Sequence, residues 1–155
     1  MRVSVIGGSE VTAETATTAR RLGRELGERG HEVVCGGLTG VMEAVAQGAA
    51  EGGGHTIGIL PGDDPAAANQ YVDVPIVTGM GSARNVLVVK NGDAAIAVDG
   101  GTGTLSEIAH ALDLGRPVAG LNTHDVEGVE AVDSPAAAVD YVESATGAAQ
   151  PTGGT

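Results

Sequence analysis

Four glycine clusters in this chain each follow a short apolar segment and precede a segment with helical spacing of apolar residues. They lie at residues 7–8, 36–40, 79–81 and 100–103. Strands that alternate with helices form a parallel sheet covered on both faces, the doubly wound, Rossmann-like α/β class. The carboxyl ends of parallel strands share one edge of the sheet. We therefore expect the four clusters at that edge, around the crevice where such folds bind ligands.

Apolar runs and their spacing predict the individual elements. Strands are expected at residues 3–6, 33–35, 56–60, 74–77, 94–98 and 118–121, and helices at residues 19–29, 41–49, 83–91, 105–112 and 135–143. The β-branched run at 86–89 would also suit a strand, but a crossover between parallel strands favours a helix. Residues 1–146 are predicted to form one domain with a loop at 61–69 able to lie over a site, and residues 147–155 a disordered tail.

Residues 99–107, with the sequence DGGTGTLSE, have the pattern of a phosphate-binding turn. Glycines let backbone N–H groups approach an anion, and the start of the following helix favours negative charge. A dinucleotide fingerprint is incomplete because Ser106 replaces its third glycine, and no glycine precedes Lys-Ser or Lys-Thr as in a P-loop. The predicted ligand contacts are Gly7, Gly8, Ser9, Gly36, Gly37, Gly40, Arg84, Gly100, Gly101, Thr102, Gly103 and Thr104.

Two charged residues near this turn each allow two interpretations. Thr104 and Glu107 match a capping box, in which the glutamate reaches back to the start of its own helix. Alternatively, the Glu107 carboxylate faces the crevice. Arg84 is either a solvated residue at the start of its helix or the partner of a ligand phosphate. A cation at that helix end opposes the dipole, which favours a compensating anion.

The charge balance restricts the partners of the chain. Its 155 residues include 20 acidic ones against 8 Lys and Arg, and the formal net charge is −12. Such a surface belongs either to an ordinary acidic protein or to one adapted to high salt, and the single lysine, Lys90, favours adaptation to salt. No basic stripe is present, so neither nucleic acid nor a membrane surface is expected as a partner.

Cysteine and histidine offer little further chemistry. The four histidines and Cys35 show no metal-ligand spacing, so no metal site is expected, and Cys35 is predicted to be a small core residue. A lone cysteine cannot form an internal disulfide, and the first residues lack the pattern of a signal peptide, so a cytoplasmic location is expected. No apolar run reaches the roughly 18 to 20 residues of a membrane-spanning helix.

Two of the glycine motifs resemble those of a known Rossmann-like group. Residues 36–42, GGLTGVM, look like its GGxxGxM turn, and residues 100–107, GGTGTLSE, look like its GGxGTxxE signature. The group includes the "Lonely guy" cytokinin phosphoribohydrolases, the molybdenum cofactor carrier proteins and, more distantly, DNA-processing protein A. The likeness extends from residue 3 to about residue 121.

The resemblance implies roles for two residues. In the hydrolases, an arginine ahead of the signature and its terminal glutamate act on the N-glycosidic bond of a nucleoside 5'-monophosphate, and these positions correspond to Arg84 and Glu107. Three differences favour the carrier branch. Asn85 stands where the hydrolases have the lysine of an Arg-Lys pair, Asp99 replaces the proline before the glycines, and the chain is shorter than typical hydrolases.

The expected function is that of a homo-oligomeric binding or carrier protein, a dimer or tetramer. It would hold a phosphorylated nucleotide or a molybdopterin-type ligand and require no cofactor. The alternative is a phosphoribohydrolase that releases free base and ribose 5-phosphate. In that case Arg84 would orient the phosphate or ribose, and Glu107 would stabilise the oxocarbenium-like charge or activate water. Binding of single-stranded DNA, by analogy with the distant relative, conflicts with the net charge of −12.

Overall fold

The computed structural model describes residues 1–147 of the chain. Strands and α-helices alternate along this part, with short 3-10 helices at Pro65–Ala67 and Gly81–Arg84. The strands are β1 (Arg2–Gly7), β2 (Glu32–Cys35), β3 (His55–Leu60), β4 (Val74–Val77), β5 (Ala94–Val98), β6 (Val118–Leu121) and β7 (Val129–Ala131). The helices are α1 (Ala13–Glu28), α2 (Val41–Glu51), α3 (Asn85–Lys90), α4 (Thr102–Asp113) and α5 (Pro135–Thr146). The predicted tail lies outside the described residues, apart from Gly147 at the end of α5.

The seven strands form one parallel sheet with the order β4-β3-β2-β1-β5-β6-β7. The chain moves outward from β1 to β4 and then returns to place β5 on the other side of β1. The boundary between β1 and β5 is therefore the topological switch point, where open α/β sheets bind ligands. The doubly wound α/β class expected from the sequence is confirmed.

Helices cover both faces of the sheet. One apolar cluster joins α1, α2 and α5 to one face, and a second joins α3 and α4 to the other. Small residues bring α1 and α2 close together, because a Cβ at Gly23 would collide with the Val45 carbonyl and a Cβ at Gly48 with the Arg20 carbonyl. Such close contacts fill the interior without Phe or Trp. Among the described helices, none has the length and apolar character needed to cross a bilayer.

Several boundaries differ from the sequence-based expectations. The run at 86–89 is helical, as predicted, but α3 is short and Arg84 ends the 3-10 helix before it. The last helix continues past residue 143 to Thr146 and stops at Gly147, whose φ is +74°. Strand β7 was not predicted, because three residues among acidic neighbours are too short a pattern to detect.

Candidate ligand-binding cleft

A cleft of about 500 Å³ opens at the switch point between β1 and β5. Ten of the residues singled out from the sequence line it: Gly7, Gly8, Ser9, Gly36, Arg84, Gly101, Thr102, Gly103, Thr104 and Glu107. It is also lined by Val5, Ile6, Glu10, Leu38, Met42 and Asn85, which were not predicted as contacts. For Leu38 and Met42 a signal was present, because both lie within the GGxxGxM-like motif.

Three predicted contact residues do not line the cleft. Gly37, Gly40 and Gly100 have φ angles of 79°, 67° and 112°, so their role is to shape the turns. The glycine cluster at 79–81 follows β4, the outermost strand, and therefore lies away from the switch point. No residue of the 61–69 loop lines the cleft either. The convergence expected for four glycine clusters thus holds for three of them.

Helix α4 begins at Thr102, three residues before the start that a capping box at Thr104 would require. Gly101 is its N-cap, and no side chain caps the helix. Thr104 is instead buried in the first turn, where its side chain packs against Gly100 so closely that a Cβ there would collide with it. The capping-box interpretation is therefore wrong, because the glycine turn starts the helix before Thr104 is reached.

The first N–H groups of α4 are free to bind an anion. Among the described residues, the backbone N–H groups of Thr102, Gly103 and Thr104 have no acceptor. A Cβ at Gly101 would meet nothing within 4 Å, and one at Gly103 only the Asn85 Nδ2 at 3.8 Å. Protein packing therefore leaves open space beside this backbone. Free N–H groups at a helix start, reached through open space, form a suitable phosphate site.

Arg84 supplies a buried positive charge to the cleft. Its side chain is 9% exposed, Nε donates to the Ile59 carbonyl at 2.8 Å, and Nη2 donates to the Gly36 carbonyl at 3.5 Å. Nη1 also donates to the Asn85 Oδ1. Burial lowers the pKa of Arg84, against the opposing effect of the Glu107 charge. A guanidinium stays protonated in proteins, so this anchored cation is available to an anionic ligand.

Glu107 places a carboxyl group in the same cleft. It is 8% exposed and, within the described part of the chain, forms no hydrogen bond or ion pair. Burial raises the pKa of Glu107 to about 7, although the positive charge of Arg84 favours the ionised form. The group therefore exists in both protonation states near neutral pH. A carboxyl of this kind can donate a hydrogen bond or exchange a proton with a ligand.

Cys35 lies in the core, as predicted. Burial raises the pKa of its thiol to about 11, and its Sγ donates a weak hydrogen bond to the Met42 carbonyl at 3.8 Å. The thiol is therefore not a nucleophile near neutral pH. The described residues contain no group of His, Cys, Asp and Glu side chains suited to hold a metal ion.

A second, larger cavity of about 840 Å³ lies beside the carboxyl ends of β5 and β6, next to the start of α1. Four acidic residues line it, Glu14, Asp99, Asp125 and Asp133, together with His124, but no Arg or Lys. Four carboxylates without a cation repel a phosphate. The smaller cleft is therefore the better candidate for an anionic ligand, despite its size.

Comparison with known proteins relates the chain to both branches of the group that its motifs resemble. The rice (Oryza sativa subsp. japonica) cytokinin riboside 5'-monophosphate phosphoribohydrolase LOG is 36% identical over 98 residues, which cover 61% of this chain and only 40% of the rice protein. The solved structure of the molybdenum cofactor binding protein from Rippkaea orientalis matches with a TM-score of 0.87 and 35% identity, over 93% of this chain and 96% of that one.

The match that defines the family covers nearly the whole chain. The family model of SLOG cluster4 matches residues 1–149. An uncharacterized protein of Archaeoglobus fulgidus is 45% identical over 147 residues, 94% of this chain and 97% of its own length. The resemblance to the group of LOG and molybdenum cofactor carrier proteins is confirmed, and the chain belongs to the SLOG cluster4 family.

Proposed function

We propose that this chain is a binding protein that holds a phosphorylated nucleotide-like or pterin ligand in the cleft at the β1–β5 switch point, in the manner of a molybdenum cofactor carrier. The observation that carries the proposal is that the free N–H groups at the start of α4 and the buried guanidinium of Arg84 line the same cleft. Similarity to the Rippkaea orientalis protein over nearly the full length of both chains supports it.

In this proposal, the phosphate accepts hydrogen bonds from the N–H groups of Thr102 and Gly103 and lies near the Arg84 guanidinium. The rest of the ligand contacts the apolar side chains of Leu38 and Met42, which line the same cleft. Ligand pockets commonly have volumes of about 300 to 1,000 Å³. The cleft, at about 500 Å³, lies within that range and would hold one mononucleotide or a pterin phosphate.

A phosphoribohydrolase is the second candidate function, and Glu107 is the observation that favours it. A carboxyl with a pKa near 7 in a cleft is suited to transfer a proton at neutral pH. In the reaction, the oxygen of a water bonds to the sugar carbon as the N-glycosidic bond breaks, and the proton that the water loses balances the proton that the leaving base gains. The Glu107 carboxylate would take the proton from the water and pass it to the base, directly or through solvent, and Arg84 would hold the phosphate. The similarity to the rice LOG protein supports this alternative.

One experiment separates the two functions. Wild type, Glu107→Gln and Arg84→Ala are incubated with AMP, GMP and other nucleoside monophosphates, and free base is measured by chromatography. The matched control is Arg21→Ala, which removes the same charge from an exposed position on α1. Native mass spectrometry of the purified wild type identifies any ligand that copurifies.

The carrier proposal predicts no base release and ligand binding that depends on Arg84 but not on Arg21. Release of base by wild type that falls about a hundredfold or more in Glu107→Gln would instead establish the hydrolase. Failure of wild type to bind any phosphorylated nucleotide or pterin would contradict both functions.

We also propose that the chain forms a homo-oligomer through β4. This edge strand exposes Val74, Ile76 and Val77, each at least 40% accessible, and residues 74–83 carry no charge in a chain of net charge −12. Elsewhere the acidic surface opposes self-association, so an uncharged apolar strip suits a contact with a second copy. Light scattering should show a dimer or tetramer for wild type and a smaller species for Ile76→Lys. A monomeric wild type would contradict this proposal.

A further inference from the structure

The loop after β6, whose residues Thr123 and His124 line the larger acidic cavity, contacts the glycine turn of residues 99–103. Thr123 Oγ1 donates a hydrogen bond to the Asp99 carbonyl at 2.7 Å, and His124 Nε2 donates one to the Gly101 carbonyl at 2.9 Å. The two acceptors lie on either side of Gly100. Two consecutive side chains of one loop therefore hold the turn at two points.

The backbone that these side chains hold is conformationally unusual. Asp99 has a φ of 53° and Gly100 a φ of 112°, and the left-handed region is unfavourable for a residue with a side chain. The Asp99 N–H donates to the Leu121 carbonyl at 3.1 Å. The Gly101 carbonyl accepts the first helical bond of α4, from the Leu105 N–H at 3.0 Å, in addition to the bond from His124. The turn is thus restrained by β6 and by the loop that follows it.

Peptide geometry connects these restraints to the cleft. In a planar trans peptide, the carbonyl of one residue and the N–H of the next point in opposite directions. A Gly101 carbonyl directed at His124 therefore directs the Thr102 N–H away from His124. His124 lines the larger acidic cavity, whereas Thr102 lines the cleft. The bond from His124 thus orients the Thr102 N–H toward the proposed phosphate site.

We propose that Thr123 and His124 are positioning residues, which hold the glycine turn so that its free N–H groups face the phosphate of the ligand. This inference rests on the proposed function. Neither residue lines the cleft. Their effect on binding would act entirely through the Asp99 and Gly101 carbonyls.

Paired variants test the proposal. Thr123→Val and His124→Leu remove the donors while keeping most of the side-chain volume, and Thr123→Ser and His124→Gln retain a donor. Calorimetric titration with AMP and with inorganic phosphate measures the affinity of each variant. Hydrogen exchange of the Asp99 and Leu105 amides in the unliganded protein reports whether the turn is held, because the Asp99 N–H joins the turn to the Leu121 carbonyl and the Leu105 N–H donates to the Gly101 carbonyl. Thermal melting shows whether each variant is folded.

We expect Thr123→Val and His124→Leu to bind AMP about tenfold more weakly and to exchange the two amides faster, while remaining folded. Thr123→Ser and His124→Gln should recover most of the affinity. Unchanged affinity, or unchanged exchange of both amides in the donor-less variants, would overturn the inference. If wild type binds neither AMP nor phosphate, the proposed binding of these ligands fails, and the exchange rates alone decide whether the two side chains hold the turn.

Discussion

Gly36 lies so close to Arg84 that a Cβ at residue 36 would be 2.7 Å from the Arg84 Nη2. The same Cβ would be 2.6 Å from the Met42 Sδ. Both neighbours are ends of long side chains, but Arg84 is anchored to the Ile59 and Gly36 carbonyls. The glycine that follows β2 therefore sets the position of the guanidinium in the cleft.

Gly36→Ala should displace Arg84 and weaken binding of a nucleoside monophosphate, with little loss of stability. We expect a decrease in affinity of about tenfold, which corresponds to the loss of one charge-assisted hydrogen bond. Calorimetric titration with AMP measures it. Gly62→Ala is the matched control, because a Cβ at residue 62 would meet nothing within 4 Å. Equal affinities in the two variants would show that Arg84 does not bind the phosphate.

Gly103→Val tests the turn itself. Valine at residue 103 would contact little in the unliganded protein, because only the Asn85 Nδ2 lies within 4 Å of its Cβ, so the fold should be largely retained. The side chain would occupy space beside the free N–H groups, so ligand binding should be abolished. Melting temperature and calorimetric titration with a panel of nucleotides measure both effects. Full affinity in this variant would remove the turn from the site.

The sequence predicted the fold well because its glycine clusters mark the ends of the strands. In each cluster the glycines favour a turn at the position where an apolar run ends. The turn preference of the residues and the hydrophobic pattern of the chain therefore indicate the same strand boundary. Strand β7 escaped detection because Val129–Ala131 is short and half-exposed, and its assignment depends on pairing with β6. A long-range partner of this kind leaves no local signal.

The site was predictable only in part. Arg84 and Glu107 were singled out from their motifs, and both line the cleft. The capping-box prediction was wrong because the Thr104 side chain packs on Gly100. That contact depends on the φ angle of Gly100, which the residue types of the motif do not reveal. The contacts of Thr123 and His124 with the turn join residues more than 20 positions apart, so no motif could show them.

Glu143 should contribute strongly to stability, because it joins α5 to the end of α1. Its side chain, 14% exposed, accepts hydrogen bonds from the Arg29 Nη1 at 2.8 Å and the His31 Nε2 at 2.6 Å. Glu143→Gln places an amide N–H₂ against one of these donors and should lower the free energy of unfolding by about 1 to 3 kcal/mol. Urea denaturation measures the change.

Asp140→Asn is the matched control for this variant. Asp140 also pairs with the Arg29 Nη1 at 2.8 Å, but its side chain is 68% exposed. An exposed ion pair contributes about 0 to 1 kcal/mol, so the control should be nearly neutral. If both substitutions lowered the free energy of unfolding equally, the greater burial of Glu143 would not make its contacts more stabilising than that of Asp140.

The acidic surface should make stability rise with salt. At a net charge of −12, repulsion between carboxylates destabilises the folded state in dilute buffer, and molar KCl screens it. Melting should therefore occur several degrees higher in molar KCl. Asp125→Asn combined with Asp133→Asn removes two charges from the acidic cavity and should reduce this dependence. A melting temperature that does not change with salt would contradict adaptation to high salt.

Ionisation of Glu107 should destabilise the protein as the pH rises. The pKa of Glu107 is about 7 in the folded protein, above the ordinary glutamate value of 4.5, because burial disfavours the carboxylate. Below the lower pKa both the folded and unfolded states are protonated, and the neutral carboxyl carries no penalty. Between the two pKa values, the Glu107 carboxyl is ionised in the unfolded state but still protonated in the folded state. The free energy of unfolding therefore falls as the pH rises, until the carboxyl also ionises in the folded state. A difference of this size corresponds to about 3 kcal/mol.

Glu107→Gln cannot ionise at this position. The difference in unfolding free energy between the variant and wild type therefore reports the ionisation of Glu107 apart from that of the other acidic residues. We expect the variant to gain stability relative to wild type by about 3 kcal/mol between about pH 5 and about pH 8, measured by urea denaturation at several pH values. Glu130→Gln, which removes an exposed carboxylate from β7, serves as the control and should show no comparable change. A constant difference between Glu107→Gln and wild type across this range would mean that the Glu107 carboxyl is ionised throughout. In that case Glu107 would have no proton of its own to donate near neutral pH, and in the hydrolase alternative it could act only as a base toward water.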